Sequence, residues 1–234
     1  MSNDTRDGHD ATPRRGFIGR LVVGGAALVA AGSPRQLLHA APATGMADAN
    51  HAVPRDWMDE LTGKHRTVFD TAAHKNGKPL AQAANYLNAW RDAFRVPERE
   101  VNLVIGVHGE AIPFVLADAL WPRFKIGEQY EVTDGATHRA ATENSFSAAH
   151  ASAAGLVTPE QTVEALQKRG VRFLVCMNTI MAATKKLAAA GLGTAEEIKP
   201  AIVAGLLPNV IVVPAMVVAL TQLQERGVKY TKIA

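Results

Sequence analysis

The chain has 234 residues, 47% of them hydrophobic, with one cysteine and a formal net charge of +3. That length suits one globular domain whose core needs no disulfide or metal staple, and a lone cysteine excludes an internal disulfide. Aromatics are only 6%, and no basic run follows the N-terminal segment, so nucleic acid is not an expected partner.

The first 43 residues read as a targeting segment rather than as part of the fold. A polar stretch leads to RRGFIGR at 14–20, an apolar run LVVGGAALVAA at 21–31, and a small-residue stretch HAAPAT at 39–44. This is the charged, apolar, cleavable order of a secretory signal. Arg14, Arg15 and Phe17 resemble the twin-arginine export motif, which implies export machinery of that kind as a partner and a periplasmic or otherwise exported destination. The apolar run is shorter than the ~20 residues of a membrane span. Cleavage is expected near the Ala41-Pro42-Ala43 triplet. It would remove five of 25 basic and three of 22 acidic residues, leaving 20 and 19 and a net charge of +1.

Residues 44–63 read as a flexible lead-in to a domain over 64–234. Residues 65–70, HRTVFD, predict a first strand, and Asn76-Gly77 a turn. Leu80, Ala83, Ala84, Leu87, Trp90 and Phe94 share one face of a helix over 80–94. The apolar run at 101–107 predicts a strand covered on both faces. A short helix over 113–120 is expected to end at Trp121-Pro122. Residues 123–155 are polar and read as an excursion outside the core. Thr158, Pro159 and Gln161 mark a capped helix closed by Gly170. A third strand at 171–175 leads to Cys176, and a helix follows to Gly191. The TAEE pattern at 194–197 starts another helix. Residues 209–213 predict a fourth strand, Pro214 precedes a helix ending at Gly227, and VKYTKI closes the chain as a strand. The alternation argues for a single α/β domain: an open, mostly parallel sheet of about five strands with helices on both faces.

In such sheets ligands bind beyond the carboxyl ends of the strands. Two residues with chemistry fall there, His108 and Cys176. A helix start after Cys176 presents unpaired amides and partial positive charge, both of which favour a thiolate. Asn178 and Thr179 are expected to cap that helix and add hydrogen-bonding groups near the sulfur. Arg172, Lys185 and Lys186 read as solvated. His108, His138, His150 and Cys176 have no diagnostic metal spacing, so no metal site is expected. Met177, Met181 and Met216 read as core. No G-x-G-x-x-G or G-x-S-x-G is present, so neither a dinucleotide cofactor nor a hydrolase elbow is expected.

The apolar strand ending in His108-Gly109, the segment RGVRFLVC, the turn CMNT and the ending LPNVIVVPAMVVALTQLQERGVKY together resemble DsrE/DsrF-like proteins of the YchN-type sulfur-relay fold. The resemblance covers roughly residues 101–234. It implies a small α/β fold, assembly as trimers or hexamers, and sulfur carried as a persulfide on the residue matching Cys176. His108 matches a family position near the site, and Gly109 beside it is expected to support or bind substrate. The export signal, the 123–155 excursion and an added N-terminal strand–helix pair depart from the family.

The reading is an exported sulfur carrier or sulfurtransferase that takes sulfane sulfur on Cys176 from a donor and passes it to an acceptor. Asn178 and Thr179 would support the anion, and His108 would bind an anionic donor or shuttle a proton. Two alternatives are a module that holds a small anion or metal without catalysis, and an oligomeric structural protein with a packed cysteine.

Overall fold

A computed structural model describes residues 56–152 and 155–233. The expected export signal, with Arg14, Arg15 and Phe17, lies outside the described residues, as do residues 44–55 of the expected lead-in. In chain order the elements are α1 (Asp56–Asp59), β1 (His65–Ala73), α2 (Lys78–Asp92), β2 (Val101–Glu110), α3 (Leu120–Phe124), α4 (Ile126–Gln129), α5 (Val163–Lys168), β3 (Arg172–Cys176), α6 (Met177–Ala189), α7 (Ala195–Ala204), β4 (Val210–Val213), α8 (Met216–Glu225) and β5 (Lys229–Ile233).

The five strands form one sheet in the order β4-β3-β2-β1-β5, with every pair parallel. The expected α/β architecture is therefore present. Alternation along the strands divides the apolar side chains between two faces. Phe69, Leu103, Ile105, Val107, Phe173 and Val175 point into the larger core, with Leu80 and Leu87 of α2, Leu166 of α5, Ile180 of α6 and Ile198 of α7. Val68, Val104, Leu174 and Cys176 point into a smaller core made with α1 and α8. The topology explains this division. Right-handed crossovers from β1 through β4 advance in one direction and keep their helices on one face; the return to β5 puts α8 on the other.

The reach-back bond of both capping boxes forms: Thr194 N–H donates to Glu197 Oε2 and Thr158 N–H to Gln161 Oε1. The helix expected from 158 is nonetheless broken. Thr162 donates to the Pro159 carbonyl and accepts from Ala165 N–H, so its hydroxyl ends a 3-10 turn and caps α5.

Four expectations are corrected. Part of the expected lead-in is packed: Trp57, Met58 and Leu61 are buried in the smaller core, and Glu60 pairs with Arg172. Phe94 lies beyond the end of α2 and is 67% exposed. Trp121 and Pro122 sit inside α3 instead of ending a helix. Pro122 is its third residue, where a backbone N–H has no intrahelical partner to lose. The expected excursion over 123–155 contributes to the larger core, where Phe124, Ile126, Tyr130, Val132 and Phe146 are all buried. Asn144, fully buried, pins this segment by donating to the Leu116 carbonyl at 2.8 Å, and its own N–H donates to Asp118 at 2.7 Å. The large apolar residues are spaced too widely to show a period, so the polar background hides them.

Candidate functional site

A cleft of about 310 Å³ opens at the carboxyl ends of β2 and β3, between the starts of α6 and α8. His108, Gly109, Cys176, Asn178 and Thr179, the five site residues expected from the sequence, all line it.

Cys176 is the last residue of β3 and the N-cap residue of α6, with extended backbone angles and no capping bond from its side chain. Its Sγ instead accepts the N–H of Met216, the first residue of α8, at 3.3 Å. The thiol thus sits at the start of one helix and takes up an unpaired amide at the start of a second. It is 5% exposed. Because Cys176 itself is the N-cap, Asn178 and Thr179 lie in the first turn of α6 and do not cap it, contrary to expectation. Thr179 Oγ1 accepts the Gly109 N–H at 3.1 Å, which ties α6 to β2. Asn178 faces the cleft from an exposed position.

The strand carrying His108 is longer than its apolar run predicts. It continues through Gly109 to Glu110. Beyond the Thr71–Val107 pair, the next registered pair is Ala73–Glu110, so β2 carries one residue more than β1 and bulges at His108-Gly109. Gly109 has φ +55°, and a Cβ there would lie 2.9 Å from the Ala72 carbonyl oxygen, so this position admits only glycine without strain. Gly106 serves a different need. A Cβ on it would lie 2.8 Å from Met216 Sδ, so the bare backbone lets the start of α8 approach β2 and the thiol.

His108 Nε2 lies 2.7 Å from Asp70 Oδ1, and the other oxygen of Asp70 accepts the Tyr230 hydroxyl at 2.7 Å. That hydrogen bond to a carboxylate holds the Tyr230 phenol above its ordinary pKa. The opposite wall of the cleft is made by Tyr130, Glu110 and Lys186. Lys186 Nζ sits 4.1 Å from the Tyr130 ring centre and 3.1 Å from Glu110 Oε2. Burial, and then the Glu110 charge, push the Tyr130 phenol well above the usual tyrosine range.

Asp70, Glu110, Tyr130, Lys186, Met216 and Tyr230 escape the sequence reading. Asp70 leaves one trace, as the lone acidic residue of its strand. Lys186 and Arg172, expected to be solvated, both have carboxylate partners. Two other candidate ligands, His138 and His150, do not line the cleft; His150 is held between Asp118 at 2.9 Å and Glu143 at 3.1 Å. Among the described residues, no group of three or more His, Cys, Asp or Glu side chains is placed to hold a metal ion. Also among the described residues, no helix is long and apolar enough to cross a membrane.

No family model matches the chain, and no curated protein matches it. Among solved structures it is similar to MTH1491 from Methanobacterium thermoautotrophicum, a protein of unknown function, with 17% sequence identity and a TM-score of 0.39. That similarity covers 72% of this chain and 99% of the other.

Proposed function

We propose that the protein is a DsrE-like sulfur carrier or sulfurtransferase that holds sulfane sulfur as a persulfide on Cys176. The observation that supports this is the placement of the thiol in an open cleft, at two helix starts and beside a histidine. The thiolate attacks the outer sulfur of a donor. The donor's S–S bond breaks, a new S–S bond forms on Cys176, and the remainder of the donor leaves as a thiol. Amides at the starts of α6 and α8 support the resulting anion. His108 binds an anionic donor or moves the proton. Export by the twin-arginine route belongs to the same reading and rests on Arg14, Arg15 and Phe17. Self-association belongs to it too: Val217 at 72% and Val218 at 53% exposure leave apolar surface beside the cleft.

Mass spectrometry of the purified protein after inorganic polysulfide treatment tests the proposal. The Cys176 peptide should gain sulfur atoms, and Cys176→Ser should gain none while remaining folded. A wild-type peptide that gains no sulfur overturns it. The burial of Cys176 at 5% favours a second reading, in which the thiol is a packed apolar residue. Alkylation of Cys176 only after denaturation would establish that reading instead.

A further inference from the structure

We infer that Asp70 is a positioning residue for His108, and that the pair transfers the proton when the Cys176 thiol attacks an S–S bond. This deepens the sulfur-carrier reading and rests on it for the donor class: S–S donors whose leaving group is a basic alkyl thiol.

The geometry starts at Asp70, whose side chain is 14% exposed on β1. Both carboxylate oxygens are engaged, Oδ1 by His108 from β2 and Oδ2 by Tyr230 from β5. A carboxylate held at both oxygens cannot rotate freely, and its bond to Nε2 fixes the imidazole ring and its tautomer. Nδ1 is then the ring nitrogen left for proton exchange. His108 and Cys176 share one face of the sheet. Each lies two residues beyond a member of the registered Gly106–Leu174 pair, and both line the cleft. Lys186, which also lines the cleft, is already paired with Glu110.

The step balances without an outside oxidant or acid. His108 takes the proton of the Cys176 thiol. The thiolate attacks one sulfur of the donor, the donor's S–S bond breaks, and the imidazolium returns the proton to the departing sulfur. Such proton delivery matters only when the leaving thiolate is basic, because an acidic thiol leaves as its anion unaided. The arrangement therefore favours alkyl persulfides and alkyl disulfides over donors with acidic leaving groups.

The test measures initial rates of mixed-disulfide formation at Cys176 in the full chain with two probes. One is 2-hydroxyethyl disulfide, whose leaving thiol is basic. The other is 5,5′-dithiobis(2-nitrobenzoate), whose leaving thiol is acidic. His108→Gln keeps an amide in reach of Asp70 but cannot carry the proton. It should slow the alkyl probe on the order of 10²-fold. Asp70→Asn should slow it roughly ten- to a hundredfold, the worth of a charge-assisted hydrogen bond. The aromatic probe should change little in either variant. Equal slowing of both probes, or of neither, overturns the assignment. The polysulfide experiment fails separately. Cys176 that shows the leaving-group effect but gains no sulfur retains the proton-transfer pair and loses the sulfur reading. Cys176 that gains sulfur without the leaving-group effect does the reverse.

Discussion

The two faces of the sheet are covered unequally. One lies under α2 through α7 and encloses Trp121, Phe114, Phe124, Phe146 and Phe173, all fully buried. Among the described residues the other has only α1 and α8, and its apolar cluster is much smaller. The thick side buries large side chains around the sheet and leaves little room for polar chemistry. On the thin side, Asp70, His108 and Tyr230 are joined by hydrogen bonds, and His108 stands next to Cys176 at the carboxyl ends of β2 and β3. Stability and chemistry are thus divided between the faces, because a reactive group needs open space beside a rigid support.

The strongest test of that division removes an aromatic from the thick side. Phe146 packs edge-on against Phe114 at 4.7 Å and lies near Trp121 and His74. Phe146→Ala should cost about 3–5 kcal/mol in denaturant unfolding. A loss below ~1 kcal/mol would return residues 123–155 to the status of an outlying loop.

A change on the thin side should cost less and reach the thiol. In Gly106→Ala the new methyl meets Met216 Sδ at the start of α8. Overpacking of this kind costs about 1–3 kcal/mol. It should also alter the alkylation rate of Cys176, because Met216 N–H is bonded to its sulfur. Met216→Ala in the same chain should relieve part of the strain, so the double variant should lose less stability than the two single losses summed. Strict additivity would show that Gly106 and Met216 are not coupled.

The smallest effect concerns pH at the rim where the thick layer meets the cleft. The Tyr130 pKa is raised in the folded state, so the fold favours its neutral form. The neutral phenol's contribution is complete below the unfolded value of about 10 and is lost as pH rises above it. Wild-type stability should fall on the alkaline side of pH 10, and Tyr130→Phe should flatten that fall. Identical alkaline slopes in the two proteins would mean that Tyr130 is not desolvated.

The alternation of strands and helices was legible because each apolar run is local and periodic. Thr158–Gln161 and Thr194–Glu197 were legible for the same reason: a capping box spans four residues. Cys176 was legible as the end of a strand and the beginning of a helix. The five lining residues expected from the sequence cluster because parallel β2 and β3 deliver His108 and Cys176 to one edge of the sheet. Phe146 and Tyr130 were not legible as core. They stand singly in polar sequence, and only their neighbours in space make them buried.

From the sequence alone came the α/β order, the approximate limits of every strand, and a thiol at a strand end. The tertiary structure decided what surrounds that thiol. Asp70 and His108 are 38 residues apart and Asp70 and Tyr230 160, yet the strand order β2-β1-β5 makes them hydrogen-bonded neighbours. The amide at Cys176 Sγ comes from Met216, 40 residues on, and it reaches the sulfur beside a glycine that clears its path. Local periodicity sets which residues form an element and which face they present. Contacts between elements depend on sheet register and crossover direction, which are fixed only when the whole chain buries its apolar surface together.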